Sequence, residues 1–360
     1  MSLWADFAPL LAKGESLTYD QSREMMALIM AGELDEVKLS SYLSIMAVRG
    51  INVRELRGLA DQMQASAKHI DLPGRVVDIV GTGGDKANTV NISTMAALVI
   101  AATGLPVVKH GNRASTSACG SADLLEALGV DLNLPSSQII ASFDVAGIAF
   151  LFANKFHPSM RHAARVRRDL GFPTAFNVLG PLTDPVQPVA SVVGVAREDA
   201  APLVAGVFAE RGTSAFVFRG ARYGLDELSA AEPSLLWAIH GGRMVHMEID
   251  PAGILGLDAC TVEDLRGSTA DVNSRVARQV FEGADGPVAD AVAMNAALGI
   301  MAGQAAGVAS SSPLASGMNW LEEAAFEAGF RKAFKLAKQA LNSGATQAKL
   351  ETWVRATQEQ

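Results

Sequence analysis

The sequence predicts an α/β fold with two domains: a small all-helical domain and a larger α/β domain with a mostly parallel sheet. The chain has 360 residues, more than one compact domain commonly holds. Its first seventy residues show only helical spacing of apolar side chains. From Val76 onward, short β-branched runs alternate with helical segments. This alternation is typical of parallel strands joined by crossover helices.

The N-terminal segment indicates amphipathic helices that end at glycines or before a Pro-Gly pair. In the helix predicted over residues 34–50, Val37, Tyr42, Leu43 and Met46 are expected to point inward. No strand pattern appears in this part of the sequence. The N-terminal segment is therefore expected to be a helical cap or dimerisation unit.

The domain boundaries follow from changes of pattern. We place the helical domain at residues 1–72 and the α/β domain at residues 73–360, because Pro73 and Gly74 end the helical stretch. The basic stretch over about 160–188 contains Pro-Gly turns and interrupts the alternation of strands and helices. It is expected to join the helical domain.

Composition excludes several classes of protein. The net charge of -8, from 30 basic and 38 acidic residues, argues against a nucleic-acid-binding surface as the main function. Cys119 and Cys260 lack zinc-like spacing and are expected to be free thiols. The N-terminus lacks signal-peptide features, and Gly104 and Pro106 interrupt the apolar run that begins at Met95. We therefore expect a cytoplasmic protein that does not bind membranes.

The stretch "GTGGDKANTVNIST", residues 81–94, follows a predicted strand and opens into a predicted helix. Its glycines allow close approach of a ligand to the backbone, and the helix start at Asn91 offers N–H groups to an anion. The dinucleotide fingerprint would need glycine at Lys86, and the GK[ST] triplet of the Walker motif is missing from this loop. A phosphate or pyrophosphate site of another type and an ordinary tight turn both remain possible.

A second loop, "KHGNRASTSACGSAD", follows the next predicted strand. Lys109 and Arg113 are expected to supply positive charge to a polyanion, and the hydroxylated residues 115–117 to close over it. Ser121 is a candidate N-cap of the following helix. Because both loops would lie at the carboxyl edge of one sheet, they indicate a ligand with two phosphate groups. The alternative is a solvated basic loop.

The stretch "GLDELS" places Asp226 and Glu227 side by side in a turn after a predicted strand. Adjacent carboxylates can hold Mg²⁺ while phosphates supply the other oxygen ligands. Most Asp-Glu pairs are simply solvated surface, and only the neighbouring diphosphate site favours a metal role for this one.

A basic stretch contains Arg161, Arg165, Arg167 and Arg168. One of these guanidinium groups could bind a carboxylate through two hydrogen bonds. The alternative is a basic helix face in water. His157 and His162 are isolated, and a packed or surface position is expected for each. The sequence shows no nucleophile–base set, so covalent catalysis is not supported.

Four stretches together resemble the anthranilate phosphoribosyltransferase family, and they fall in the family's order and spacing. They are "DIVGTGGDKANTVNIST", "VVKHGNRASTSACGSADLLEALGV", "FLFANKFHPSMRHAARVRRDLGFPTAFNVLGPLTDP" and "GLDELS". The resemblance implies the nucleoside-phosphorylase type of fold. It also implies a homodimer through the helical domain and, in the α/β domain, a site for phosphoribosyl pyrophosphate and Mg²⁺.

The resemblance also implies roles for individual residues. Phosphoribosyl pyrophosphate would be bound by Gly81, Gly84, Asp85, Thr89, Asn91, Ile92, Ser93, Thr94, Lys109, Gly111, Asn112, Arg113, Ser115, Thr116, Ser117 and Ser121. Anthranilate would be bound by Gly81, His110, Asn112, Arg167 and Pro181. The Mg²⁺ positions would be Ser93, Asp226 and Glu227.

The implied reaction is attack of the anthranilate amine on the ribose, with pyrophosphate as the leaving group. An arylamine is already neutral, so no general base or other catalytic residue is expected. Asn154 and Arg219 depart from the family pattern, and Arg165 and Arg222 could reshape the acceptor site. A different aromatic amine as acceptor therefore remains an alternative. Two others are a nucleoside-phosphorylase-like enzyme and a non-catalytic nucleic-acid-binding relative.

Overall fold

The computed structural model of the chain describes residues 3–114, 118–308 and 320–358. The strands in these ranges are β1 (Val77–Gly81), β2 (Val107–Gly111), β3 (Ile148–Phe152), β4 (Ala190–Gly194), β5 (Ser214–Gly220), β6 (Ser234–His240) and β7 (Arg243–Ile249). The α-helices in these ranges are α1 (Leu3–Ala12), α2 (Tyr19–Ala31), α3 (Glu36–Arg49), α4 (Val53–Ala65), α5 (Ile92–Ala102), α6 (Ser121–Leu128), α7 (Ser136–Ala146), α8 (Ala153–Phe156), α9 (Arg161–Leu170), α10 (Phe176–Leu179), α11 (Ala201–Arg211), α12 (Pro251–Leu255), α13 (Ala270–Phe281), α14 (Pro287–Ala305), α15 (Glu323–Asn342) and α16 (Ala345–Gln358).

The chain divides into two compact units. A helical unit contains Met1–Ile70 and Ala153–Gln187, and an α/β unit contains Asp71–Phe152 and Pro188–Gln360. The seven strands named above belong to the second unit, so the two kinds of sequence pattern separate into two folded parts.

The helical unit is built on capped amphipathic helices. Thr18 and Gln21 form a reciprocal capping box at the start of α2, and Asn52 and Glu55 form one at the start of α4. Helices α2 and α4 pack against each other. Such caps fix where a helix begins, because they satisfy backbone N–H groups that have no partner within the helix.

The prediction that Val37 of α3 points inward is wrong. Val37 is 76% exposed, whereas Leu39, Tyr42, Leu43 and Met46 are buried. The buried residues lie three and four positions apart and form one stripe, and Val37 lies about 140° away from Tyr42 around the helix. The spacing around Tyr42 therefore sets the buried face.

His157 is a buried histidine, as one of the two alternatives expected. Its Nε2 donates to the carbonyl of Thr183 at 2.9 Å, and burial lowers the pKa of the imidazole. The neutral ring is therefore the form that suits the folded helical unit.

We expect acid to destabilise the protein through His157. Below about pH 6.5 the unfolded chain binds a proton that the folded state resists, so the free energy of unfolding should fall by up to about 1.4 kcal/mol per pH unit. Urea unfolding of His157→Gln between about pH 7 and pH 5 should show a smaller slope than the wild type. The same substitution at the exposed His69 should leave the slope unchanged, and equal slopes for all three proteins would contradict the assignment.

The α/β unit contains a seven-stranded sheet in the order β3-β2-β1-β4-β5-β6-β7. Pairing is parallel from β3 to β5 and antiparallel from β5 to β7. The predicted α/β class with a mostly parallel sheet is confirmed. The hairpin of β6 and β7 was not predicted, although Gly241 and Gly242 have φ angles of 57° and 77°, as a tight hairpin turn requires.

Helix α14 is the central helix of the α/β core. It packs against α5, α15 and β4, and residues Ala291–Gly303 are all buried. By length and composition alone it could span a membrane, but 78% of its apolar window is buried inside the protein. Burial of this extent is typical of the core helix of a folded domain.

The strand order creates a switch point beside β1. The chain runs from β1 outward to β2 and β3, and then returns to β4 on the other side of β1. Gly81 and Gly194 are register partners at the carboxyl ends of β1 and β4. Crevices at such reversals are where open α/β sheets bind ligands.

Candidate functional site

The loop after β1 has an unusual backbone. Gly83, Gly84, Lys86 and Asn88 have φ angles of 67°, 87°, 63° and 52°. Lysine rarely adopts this left-handed region, so the surrounding structure must impose it. Successive residues of this kind turn backbone N–H groups toward one side, where they can bind an anion.

Residues 265–267, which are distant in sequence, form backbone hydrogen bonds with this loop. Val90 donates its N–H to the carbonyl of Leu265 at 2.9 Å, and Gly267 donates to the carbonyl of Asn88 at 2.7 Å. Thr89, a predicted ligand contact, lies in the same pairing as a bridge partner of Arg266. The loop is therefore held in place by backbone bonds rather than by local sequence alone.

A chain of amides joins this loop to the loop after β2. The buried Asn273 donates to Asn91 Oδ1 at 2.9 Å, and Asn91 donates to the carbonyl of Cys119 at 3.0 Å. Asn273 also accepts from Ser268 N–H at 2.8 Å. Asn273 was not predictable from sequence, because an isolated asparagine in a helix carries no recognisable local motif.

The segment after β5 brings Asp226 directly over the ends of β1 and β4. Asp226 Oδ2 accepts from Gly83 N–H at 2.7 Å. A Cβ atom on Gly81 would lie 2.5 Å from that oxygen, and a Cβ atom on Gly194 would lie 1.7 Å from the Asp226 carbonyl. A side chain at Gly81 would therefore meet the Asp226 carboxylate, and a side chain at Gly194 would meet the backbone of the segment.

Lys109, Ser93 and Glu227 form a connected set under the same edge. Lys109 Nζ donates to the carbonyl of Ile79 at 2.7 Å and to Ser93 Oγ at 3.3 Å, and Ser93 N–H donates to Glu227 Oε1 at 3.0 Å. Lys109 is only 2% exposed. It therefore lies on β2 within the floor of the site, and not on a solvated loop.

Burial perturbs the ionisation of these groups. Burial, with repulsion from Asp85, raises the pKa of Asp226, and burial, with repulsion from Asp226, raises the pKa of Glu227. Burial lowers the pKa of Lys109, which its acidic neighbours oppose. Several buried acids around a single ammonium group make a site that favours additional positive charge.

The donor set suits a hard divalent cation that also binds oxygen atoms of a ligand. Two adjacent buried carboxylates are present, and Asp85 Oδ2, near Asp226, is buried without a hydrogen-bond partner among the described residues. No group of three or more His, Cys, Asp and Glu residues within the described ranges could hold a metal by itself. Asp226, Glu227 and Ser93 are the residues that could hold Mg²⁺ together with phosphate oxygens.

Arg113, which is expected to supply positive charge to a polyanion, forms ion pairs within the chain. Its guanidinium pairs with Glu126 through Nη1 and Nη2 at 2.5 and 2.8 Å, and with Asp123 at 3.1 Å. It also lies 5.6 Å from the centre of the Phe152 ring. Its positive charge is already compensated by two carboxylates on the following helix.

Ser121 is not an N-cap. It is the first helical residue of α6, Gly120 is the N-cap, and Asp123 accepts from the N–H groups of Gly120 and Ala114, both at 2.9 Å. Asp123 is better placed to cap because its carboxylate reaches back to the loop. Ser121 remains half-buried at the start of the helix.

The other predicted ligand residues of the α/β unit lie at the same carboxyl edge. Ile92 and Thr94 are in the first turn of α5, His110 and Gly111 end β2, and Asn112 follows it. Ile92 is fully buried, and Thr94 Oγ1 is buried without a hydrogen-bond partner among the described residues. Ser115, Thr116 and Ser117 lie outside the described residues.

Arg167 and Pro181, the other predicted acceptor residues, belong to the helical unit. The exposed guanidinium of Arg165 forms an ion pair with Glu36 at 3.1 Å. Arg167 is half-buried and lies 5.1 Å from the centre of the Phe176 ring. Among these arginines, Arg167 is therefore the one held in a fixed position by packing.

Comparisons with known proteins agree along the whole chain. Residues 73–345 match a family described as "Glycosyl transferase family, a/b domain", and residues 10–67 match "Glycosyl transferase family, helical bundle domain". An anthranilate phosphoribosyltransferase from Arthrobacter sp. (strain FB24) is 47% identical over 354 residues, which cover 98% of this chain and 96% of the relative.

Solved structures show the same fold. The anthranilate phosphoribosyltransferase of Thermus thermophilus has a TM-score of 0.86 and 36% identity, with 99% of each chain covered. The Saccharomyces cerevisiae enzyme in complex with PRPP and Mg has a TM-score of 0.84 and 27% identity, covering 100% of this chain and 98% of its own. The yeast enzyme has also been solved with 4-fluoroanthranilate, at a TM-score of 0.82, 26% identity and the same coverage.

Proposed function

Because the chain belongs to the anthranilate phosphoribosyltransferases of the glycosyl transferase family, enzymes of tryptophan biosynthesis, we propose the following reaction for it. The phosphoribosyl group of phosphoribosyl pyrophosphate is transferred to the amine of anthranilate. The products are N-(5-phosphoribosyl)anthranilate and pyrophosphate, and the reaction depends on Mg²⁺. The yeast relative solved with PRPP and Mg, and with 4-fluoroanthranilate, supports this assignment.

The convergence of a phosphate loop and a buried acidic pair carries this proposal. The loop after β1 and the start of α5 receive the phosphates. Asp226 and Glu227, which accept the N–H groups of Gly83 and Ser93, lie directly beside them. Lys109 Nζ donates a hydrogen bond to Ser93 Oγ and supplies a positive charge at a fixed position. A nucleoside phosphorylase, which uses phosphate alone, has no need for such an acidic pair.

The protein contributes positioning and charge rather than a covalent step. Mg²⁺, when bound, neutralises charge on the leaving pyrophosphate. Ser93, Asp226 and Glu227 would hold the ion, and the backbone of the loop, fixed by its hydrogen bonds, orients the diphosphate relative to the ribose. No general base is required, since the arylamine attacks in its neutral form.

The acceptor contacts are assigned by the same proposal. Gly81 leaves room for attack because it carries no side chain, and Asn112, His110 and Pro181 contact anthranilate. Arg167 binds the carboxylate of anthranilate.

The direct test of the proposed reaction is to follow anthranilate by its fluorescence with phosphoribosyl pyrophosphate present, with and without Mg²⁺. Turnover that needs both is expected, and failure with anthranilate but turnover of another aminobenzoate would identify a different acceptor.

Replacing Arg167 by alanine should raise the KM for anthranilate about 100-fold, because a charge-assisted pair with a carboxylate is lost. The KM for phosphoribosyl pyrophosphate should change little. The control is Arg168→Ala, since Arg168 is exposed and pairs with the neighbouring Asp169, at 3.5 Å. Equal weakening of both substrates in Arg167→Ala would show that the acceptor assignment is wrong.

Three further expectations stay predictions. These are the homodimer through the helical unit, the cytoplasmic location and the absence of nucleic-acid binding. A salt-sensitive shift of DNA or RNA in a gel would favour the non-catalytic alternative.

A further inference from the structure

The segment 221–228 carries both acidic residues and contains neither helix nor strand. Two buried polar side chains outside it, Glu232 and Asn295, bond to its backbone. We propose that Glu232 and Asn295 are positioning residues that fix Asp226 and Glu227 in the orientation needed for metal binding. This inference rests on the proposed role of that pair in holding Mg²⁺.

Glu232 holds the first part of the segment. It is 4% exposed, and its Oε2 accepts the N–H groups of Arg222 and Tyr223 at 2.5 and 2.6 Å. Its Oε1 accepts the N–H of Leu225 at 3.3 Å. Arg219, a cation that lies close to Gly224 of the segment, pairs with Glu198 and not with Glu232. The charge of Glu232 is therefore directed at the backbone of the segment, through charge-assisted bonds.

The end of β5 is shaped to admit this carboxylate. A Cβ atom on Gly220 would lie 1.8 Å from Glu232 Oε1, so any larger residue would displace it. Gly220 N–H also donates to the carbonyl of Leu225 at 2.8 Å. Leu225, the residue directly before Asp226, is thus fixed through both its N–H and its carbonyl group.

Asn295 holds the other end of the segment. It lies on α14, is fully buried, and accepts from Leu228 N–H through Oδ1 at 3.2 Å. Its Nδ2 donates to the carbonyls of Leu228 and Ala291 at 2.9 and 2.8 Å. Leu228 directly follows Glu227, and both its backbone groups are bonded to one side chain of the core helix.

The acidic pair therefore lies between two anchored residues, Leu225 and Leu228. Fixing the backbone on both sides limits the directions in which the two carboxylates can point. Residues that orient metal ligands in this way commonly change metal affinity about 10- to 100-fold when they are replaced. A purely structural role for Glu232 and Asn295 would change stability without changing metal affinity.

The test uses Glu232→Gln and Asn295→Asp, which keep size and shape. In Glu232→Gln, an amide NH₂ replaces one oxygen and faces backbone donors. In Asn295→Asp, an oxygen replaces the donor that bonds the Leu228 carbonyl. The control is Glu248→Gln, because Glu248 is exposed on β7. Mn²⁺ binding in the presence of phosphoribosyl pyrophosphate is followed by electron paramagnetic resonance, and hydrogen exchange of segment 221–228 by mass spectrometry.

We expect about 10- to 100-fold weaker Mn²⁺ binding and faster exchange of the segment in Glu232→Gln, and the same in Asn295→Asp. The control should match the wild type. Unchanged Mn²⁺ affinity in a folded Glu232→Gln protein would overturn the inference and leave the proposed function intact, even if Asn295→Asp fails to fold. If the wild type binds no Mn²⁺ with this substrate, the proposed function fails, and the inference fails with it.

Discussion

Replacing Asp226 by asparagine should lower kcat/KM for phosphoribosyl pyrophosphate at least about 100-fold, or about 2.7 kcal/mol. Asp226 is one of two adjacent buried carboxylates, and its Oδ2 already takes the Gly83 N–H. An asparagine can keep that hydrogen bond through its carbonyl oxygen. It cannot supply the negative charge that a metal ion requires.

The same substitution should leave folding intact. A buried carboxylate costs free energy because it loses its hydration, and a neutral side chain of the same shape removes that cost. The melting temperature of Asp226→Asn should therefore equal or exceed that of the wild type. The control is Asp258→Asn at an exposed position, which should affect neither rate nor stability. An unfolded or fully active Asp226→Asn protein would contradict this account.

The parallel part of the sheet was predictable because its signals are local. The apolar run before Gly81 and the helical pattern after Asn91 predict a strand–loop–helix unit, and the structure shows β1, the loop and α5 there. The hairpin of β6 and β7, which was not predicted, also has a local signal in Gly241 and Gly242. Local signals thus account for most of the secondary structure.

The candidate site was only partly predictable, because the hydrogen bonds that fix its loops come from residues distant in sequence. Glu232, Asn273 and Asn295 contact the loops through tertiary hydrogen bonds, and each is an ordinary polar residue in its own sequence context. The ion pair of Arg113 was likewise not predictable from local sequence. Its setting indicates positive charge for a polyanion, and the structure pairs this guanidinium with Glu126, thirteen residues later on α6.

Gly81 and Gly194 show why a pair of glycines can matter for two different reasons. They are neighbours in register, and both face Asp226, but a side chain on each would meet a different part of it. On Gly81, a Cβ atom would meet the carboxylate. On Gly194, it would meet the backbone carbonyl, which cannot move without moving the segment.

Gly81→Ala should therefore lower kcat/KM about 100-fold with little change in melting temperature, because the carboxylate of Asp226 must turn away from its position. Gly194→Ala should lower stability by about 3 kcal/mol as well as activity, because the backbone itself must shift. Steady-state kinetics at several Mg²⁺ concentrations and thermal unfolding of both variants measure the two effects. A Gly81→Ala protein with normal kinetics would show that the Asp226 carboxylate does not act in the position described. Equal destabilisation of the two variants would show that Gly81 serves the fold rather than the site.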